Sequence, residues 1–302
     1  MIGDKLIEQV GTILLGKQQQ VRLAVCCLLA RGHLLIEDLP GVGKTTLAQA
    51  LMRVTGLEYQ RVQFTSDLLP ADVLGVSIFD RKEGGFQFHP GPIFTQLLLV
   101  DEINRASPKT QSALLEAMAE YQVTVEGETR PLPSPFFVIA TQNPLFQSGT
   151  FPLPESQLDR FLMRISLGYP DEASERRLLT GKDPRALLKT LQPVVTPEQL
   201  LALQAQVDAV EARASVLDYP QRLIAYTRTD SHFAYGLSSR AALALLHCAR
   251  AWALISGRDY VVPEDIQAVL GPVAGHRLRE SQSGADSRSL IDHLLEDVPV
   301  VV

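Results

Sequence analysis

The residues from Asp38 to Thr46 read DLPGVGKTT and carry the chemistry around which the rest of the chain must be built. An apolar run, Leu34-Leu35-Ile36, comes before them, and a helix-like stretch, Leu47-Ala48-Gln49-Ala50-Leu51-Met52, comes after. Strand, glycine loop and helix in that order cradle phosphates. Gly41 and Gly43 let the backbone turn its N–H groups inward, and the helix N-terminus adds unpaired donors and a positive dipole end. Lys44 supplies a point charge for β and γ phosphates, and the Thr45 hydroxyl is of the type that ligates Mg²⁺. The candidate phosphate-binding set is therefore Leu39, Pro40, Gly41, Val42, Gly43, Lys44, Thr45 and Thr46. Asp38 stands where the pattern G-x-x-x-x-G-K-[ST] has its first glycine. Its carboxylate must point away from the phosphates.

An acidic pair closes the most apolar segment of the chain, Leu97-Leu98-Leu99-Val100, as Asp101-Glu102. Ligands collect at the carboxyl ends of strands in an open parallel sheet, where the glycine loop also lies. Asp101 is expected to hold Mg²⁺ through its water shell. Glu102 is expected to position and deprotonate the water that attacks a γ-phosphate. Asn143 follows another buried apolar run, Phe136 to Thr141, and is placed to hydrogen-bond the same water or the γ-phosphate.

Strand and helix signals alternate through the first half, as a parallel sheet covered by helices requires. The expected strands are 34–36, 59–64, 97–100, 136–141 and 161–167, with a helix over 106–120 that has Pro108 near its start. Two hairpins are expected as insertions, 77–80 with 86–88 and 122–125 with 128–132. Phe86 and Phe88 alternate along the first of these, so they are expected on one face and packed on the core. After Tyr169-Pro170 the pattern is all helix. Thr196-Pro197-Glu198-Gln199 is a capping box, 239–255 is a long apolar helix stopping at Gly257, Pro263 opens another, and 281–289 reads as a loop. These signals divide the chain into 1–190, an α/β domain, and 191–302, a helical domain.

Composition excludes several classes. A net charge of −6 over 302 residues, with no block of like charges, is unlike a dedicated nucleic-acid binder. No apolar stretch approaches the roughly 20 residues that span a bilayer, and the N-terminus lacks a signal-peptide layout. Cys26, Cys27 and Cys248 have no metal or disulfide spacing and read as buried small hydrophobes in a reducing cytoplasm. The histidines show no metal-binding pattern.

Taken together, the linked segments LLIEDLPGVGKTTLA, FHPGPIF, LLLVDEINRASPKTQSALLEAM, FFVIATQNP, LPESQLDRF and GLSSRA resemble the AAA+ ATPases, and among them the MoxR group of the helix-2-insert branch. The resemblance covers nearly the whole chain and implies an α/β P-loop parallel sheet sandwiched by helices, followed by an all-α lid. It implies ATP hydrolysis with Mg²⁺ in a cytoplasmic ring, a hexamer, that remodels or matures partner proteins, with a von Willebrand factor A domain protein as a common partner. Arg160 matches the arginine finger that reaches into the neighbouring subunit, with Arg164 nearby as a competitor for that role. Arg240 matches the sensor-2 arginine, expected on the γ-phosphate of its own chain, although Ser238-Ser239 stands where Ser-Pro is expected. Leu14-Leu15-Gly16-Lys17 resembles the adenine-pocket region. A chelatase-type subunit, a DNA-directed motor and a nucleotide-gated scaffold with little turnover are the competing readings.

Overall fold

The computed structural model describes residues 2–82, 84–143, 149–181, 183–281 and 287–300. The chain opens with α1 (Ile2–Gly11) and α2 (Gln18–Leu29). β1 (Leu34–Glu37) runs through the glycine loop into α3 (Lys44–Thr55), then β2 (Tyr59–Gln63) and the short α4 (Pro70–Leu74). A hairpin of β3 (Gly75–Asp80) and β4 (Gly85–Pro90) precedes β5 (Leu97–Asp101) and α5 (Pro108–Glu120). A second hairpin, β6 (Gln122–Val125) with β7 (Glu128–Pro131), precedes β8 (Phe137–Gln142). α6 (Glu155–Leu158) and β9 (Met163–Ile165) follow. The remainder is α7 (Glu172–Thr180), α8 (Pro184–Leu188), α9 (Pro197–Ala209), α10 (Ala214–Thr229), β10 (Phe233–Tyr235), α11 (Ser239–Ile255), α12 (Pro263–Ala274), β11 (Arg279–Glu280) and α13 (Ser287–Asp297).

β2, β5, β8, β1 and β9 form one parallel sheet in that order. Alternation along each strand divides its side chains between two faces. Leu34, Ile36, Leu97, Leu99, Phe137 and Ile139 pack on the side of α1, α2 and α3, whereas Leu35, Leu98, Val100, Val138 and Ala140 pack on the side of α5. Burial on both faces is why these strands are continuously apolar in sequence. The lid helices share the first of these cores: Leu200, Leu245 and Val269 belong to it, Gln204 donates to the Leu28 carbonyl at 2.8 Å, and the buried Cys26 thiol meets the Cys248 carbonyl at 3.3 Å. All three cysteines are buried and free. No helix among the described residues is long and apolar enough to cross a membrane.

Local signals explain the element starts. Ser107 caps α5 with Pro108 at its first position. The Thr196 box opens α9 with both of its hydrogen bonds, Gln199 N to Thr196 Oγ1 at 3.3 Å and Thr196 N to Gln199 Oε1 at 3.0 Å. Ser238 caps α11 by accepting from the Ala241 N–H at 3.1 Å, so that helix starts without the expected proline. Both hairpins stand outside the main sheet as separate strand pairs. Among the described residues, the lid's strands are the short antiparallel pair of β10 and β11. Of the loop expected over 281–289, residues 282–286 lie outside the described residues, and α13 has begun by Ser287.

The expectation for Phe86 and Phe88 fails. Phe86 is 74% exposed and stacks edge-on against Phe79, itself 52% exposed, with ring centroids 5.4 Å apart. Phe88 is half-buried, edge-on to Phe94 at 5.7 Å and under the Arg130 guanidinium at 4.0 Å. The two phenylalanines do share a face, but the hairpin projects from the sheet, so only the residue near its base reaches other elements.

Candidate active site

Register places the chemical groups at one edge of the sheet. Gln63 pairs with Asp101, Val100 with Ala140, and Glu37 with Gln142, so the ends of β2, β5, β8 and β1 are level. The glycine loop leaves β1 at that edge. Gly41 and Gly43 have φ of +85° and +103°, a region that residues with a side chain rarely occupy, so this turn requires glycine at both positions. An added Cβ at Gly43 would also press on Leu14 at 3.3 Å, which brings the Leu14–Lys17 segment against the loop. Lys17 itself is buried and donates to the Tyr169 carbonyl at 2.5 Å.

Asp38 turns its carboxylate out of the loop. Oδ1 accepts from the Leu39 N–H at 2.8 Å, and Oδ2 accepts from the Ser166 hydroxyl at 3.0 Å and the Gly168 N–H at 2.6 Å. The side chain therefore anchors the start of the loop to the segment after β9 and leaves the interior free of negative charge. Leu39 and Pro40 are exposed at the loop tip, Val42 packs against the core, and Thr45 and Thr46 lie half-buried in the first turn of α3.

Lys44 donates to the Asp38 carbonyl at 2.5 Å and to Asn143 Oδ1 at 2.9 Å. Asn143 is buried, and its Nδ2 donates to Glu102 Oε1 at 3.1 Å. Lys44, Asn143 and Glu102 thus form one continuous hydrogen-bonded chain across the ends of α3, β8 and β5. Burial lowers the Lys44 pKa, while the nearby charges of Asp38, Asp101 and Glu102 favour the ammonium. Asp101 is buried, accepts from Thr141 Oγ1 at 3.2 Å and is paired with Arg61 at 2.7 Å. Glu102 sits in the left-handed backbone region with φ of +57°, a strained position for a residue with a side chain, held by its N–H bond to Thr141 Oγ1 at 3.0 Å. Its Oε2 accepts from Gln63 Nε2 at 3.0 Å and from Arg105 Nε at 2.8 Å.

Gln63, Arg61, Thr141 and Arg105 were not singled out by sequence. Gln63 and Arg61 end an ordinary amphipathic strand. Only the crossover that seats β2 beside β5 brings them to the acidic pair.

The arginines divide between the two edges. Arg164, on β9, reaches Glu37 at 3.0 Å and the Gly275 carbonyl at 3.3 Å, tying the lid to the loop edge of its own chain. Arg160 precedes β9 and lies at the opposite edge, because Leu162 N bonds the His33 carbonyl and Met163 pairs with Leu34 at the start of β1. One length of β1, about 13 Å at the usual rise, separates the two edges. The Arg160 guanidinium donates to the Leu115 carbonyl at 3.0 Å. Arg240 is 72% exposed and pairs with Asp159, the neighbour of Arg160, at 3.5 Å. Buried Arg277 holds the same aspartate at 2.6 Å. Arg240, expected at the γ-phosphate of its own chain, stands at the Arg160 edge: α11 packs on α2 and α9, and its first turn meets Asp159.

A cleft of 580 Å³ opens beside the loop, walled by Glu37, Asp38 and Leu39 of the sheet domain and by Gly271, Gly275 and Asp292 of the lid.

Residues 33–163 match the ATPase family associated with various cellular activities (AAA), and residues 225–297 match the AAA lid domain. The chain is 40% identical to chaperone MoxR1 of Mycobacterium tuberculosis over 91% of this chain and 75% of that protein. It is 33% identical to protein MoxR of Paracoccus denitrificans (95% and 93%) and 43% identical to YeaC of Bacillus subtilis (99% and 94%). A crystal structure from Cytophaga hutchinsonii superposes with a TM-score of 0.88 at 36% identity, covering 98% of this chain and 94% of that one. The chain belongs to the MoxR-type AAA+ ATPases, and its activity is ATP hydrolysis.

Proposed function

We propose that the chain is the subunit of a ring, a hexamer, that couples ATP hydrolysis to remodelling or maturation of a partner protein. One observation carries this reading: Lys44, Asn143 and Glu102 stand at one edge of the sheet, whereas Arg160 and Arg240 stand at the other. In that placement Arg160 and Arg240 would stabilise the transferring phosphoryl group of a second copy and not of their own. Residues 1–190 would form the ATPase core and 191–302 the lid.

In this reading the backbone of Leu39–Thr46 and the Lys44 ammonium bind the β and γ phosphates of ATP. Asn143 and Glu102 orient the attacking water, and Glu102 Oε1 or Oε2 takes its proton. The donor set fits Mg²⁺, a hard cation that prefers oxygen: the Thr45 hydroxyl would be a ligand, and Asp101, held by Arg61 and Thr141, would act through water. Bound Mg²⁺ would neutralise charge on the phosphate oxygens. Arg160 and Arg240 from the adjacent copy would face the γ-phosphate.

A protein client is favoured over nucleic acid by the first hairpin, where Val76, Ile78, Phe79 and Phe86 are exposed apolar side chains. A cytoplasmic setting and a von Willebrand factor A domain partner are the expectations that accompany this reading. The test mixes Arg160→Ala with Glu102→Gln subunits after dissociation and co-assembly. Some sites then pair an intact Glu102 with a neighbour's intact Arg160 and are expected to hydrolyse ATP, although each variant alone is inactive. Verified mixed rings as inactive as either parent would reject the shared site.

A further inference from the structure

The lid carries a second cluster of chemistry-bearing side chains that includes none of the nucleotide-site residues. Asp230 follows the last residue of α10, His232 lies two residues on, and His293 projects from α13. One donor atom from each of Asp230, His232 and His293 lies within 4.8 Å of the other two. Asp230 Oδ1 accepts from the His232 backbone N–H at 2.9 Å and lies 2.8 Å from His232 Nδ1 and 3.7 Å from His293 Nε2. The two imidazole rings are 4.4 Å apart, tilted by 54°.

Hydrogen bonding accounts for the approach of His232 to Asp230, between Nδ1 and Oδ1 at 2.8 Å, but not for that of His293. At 3.7 Å the His293 Nε2 is too far from Asp230 to bond it. The Tyr226 hydroxyl approaches that nitrogen at 3.2 Å, but its one proton is directed to Asp297 Oδ2 at 2.6 Å. The other ring nitrogen, Nδ1, faces Asp297 Oδ2 at 3.5 Å. A carboxylate beside Nδ1 is the outer-shell partner that orients metal-bound histidines, and on ion binding Nε2 would exchange its Tyr226 hydrogen bond for the metal. Nitrogen and oxygen ligands of tetrahedral zinc stand about 3.3 Å from one another, so an ion would part the 2.8 Å hydrogen-bonded pair slightly and draw His293 in from 3.7 Å. The scaffold is also fixed before any ion arrives: Ser281 bonds the carbonyls of Ser231 and His232 at 2.5 and 2.9 Å, pinning the turn to β11.

We infer that Asp230, His232 and His293 form a site for a divalent transition-metal ion of the zinc class, with Asp297 orienting His293 and water completing the coordination. Two imidazoles and one carboxylate suit Zn²⁺ and not Mg²⁺ or Ca²⁺, which take oxygen ligands. The ion would clip α13 to the end of α10. Because Asp292 on α13 walls the cleft beside the glycine loop, the clip would also fix that wall.

The test titrates chelator-stripped full-length protein with ZnCl₂ by calorimetry, in excess Mg²⁺ to fill oxygen-only sites and without nucleotide. One Zn²⁺ per chain is expected, with a rise in melting temperature. His232→Ala and His293→Gln are each expected to weaken binding by about tenfold or more, and Asp297→Asn by about tenfold. Co²⁺ in place of Zn²⁺ is expected to give the visible absorption of a tetrahedral site in the wild type alone. His232 is exposed, so His232→Ala should match the wild-type melting temperature when zinc is absent. A wild type that takes up no zinc would overturn the proposal. So would His232→Ala and His293→Gln variants that titrate like the wild type.

Discussion

Asn143 donates its side-chain N–H to Glu102 at 3.1 Å while its carbonyl accepts from Lys44, so one buried amide joins the group that binds phosphate to the group that activates water. The three residues should separate binding from chemistry. Lys44→Ala is expected to abolish ATP binding in calorimetry, because the ammonium contacts the ground-state phosphates. Glu102→Gln should keep the dissociation constant within about threefold and lower turnover by about 10²-fold or more, as loss of a general base does. Asn143→Ala is expected to fall between, with turnover reduced and binding weakened through a displaced Lys44. Equal loss of binding in the Lys44 and Glu102 variants would reject the division.

Arg240 tests which copy completes the site. Its guanidinium pairs with Asp159 beside Arg160, at the edge away from its own glycine loop. Arg240→Ala should therefore leave ATP affinity of dissociated subunits unchanged and reduce turnover only where subunits assemble. Turnover per subunit against protein concentration is the measurement. A loss of affinity in dissociated subunits would return Arg240 to its own site.

Much of this was legible in the chain, and the reasons differ by residue. The glycine loop was readable because its residues are contiguous, and the acidic pair because it terminates a fully apolar strand. The long helix 239–255 was readable from its apolar run and Gly257, which has a φ of +80°. What could not be read depends on neighbours in space. Gln63 meets Glu102 only because β2 lies beside β5, and no local signal encodes strand order. Arg240 turned out to face the far edge because helix packing on α2, not propensity, sets where the lid sits. Phe86 misled for a related reason: alternation says that two side chains share a face, but not what that face meets.

The first hairpin offers a contrast between two phenylalanines in one strand. Phe79→Ser with Phe86→Ser removes an exposed edge-on pair and is expected to leave the melting temperature within about 2 °C, since exposed positions contribute little. Client-stimulated hydrolysis should fall with basal hydrolysis retained. Phe88→Ala removes packing against Phe94 and Arg130 and is expected to cost about 1–3 kcal/mol in denaturant unfolding. Destabilisation by the double variant equal to that of Phe88→Ala would mean that the tip is structural.

His33 predicts how stability responds to acid. The ring is buried at the start of β1, where Nδ1 accepts from the Val138 N–H at 3.1 Å and Nε2 donates to the Met118 carbonyl at 3.1 Å. The bond accepted by Nδ1 requires the neutral ring, and burial, outweighing the Met118 hydrogen bond, lowers its pKa to about 4. The unfolded chain, with an ordinary histidine near 6.5, then binds the extra proton between those values. Stability is therefore fully present above pH 6.5 and declines as pH falls toward 4, by about 3 kcal/mol from this residue at the usual 1.36 kcal/mol per unit. His276 is buried and shifted in the same direction, mainly by burial and then by Arg277 and Arg164, and adds to the slope. His33→Gln should lower the melting temperature at neutral pH, because it disturbs both hydrogen bonds, and flatten its decline over this range. The check is the melting temperature of both proteins from pH 8 down to about pH 4. A variant with the wild-type slope would show that the proton goes elsewhere.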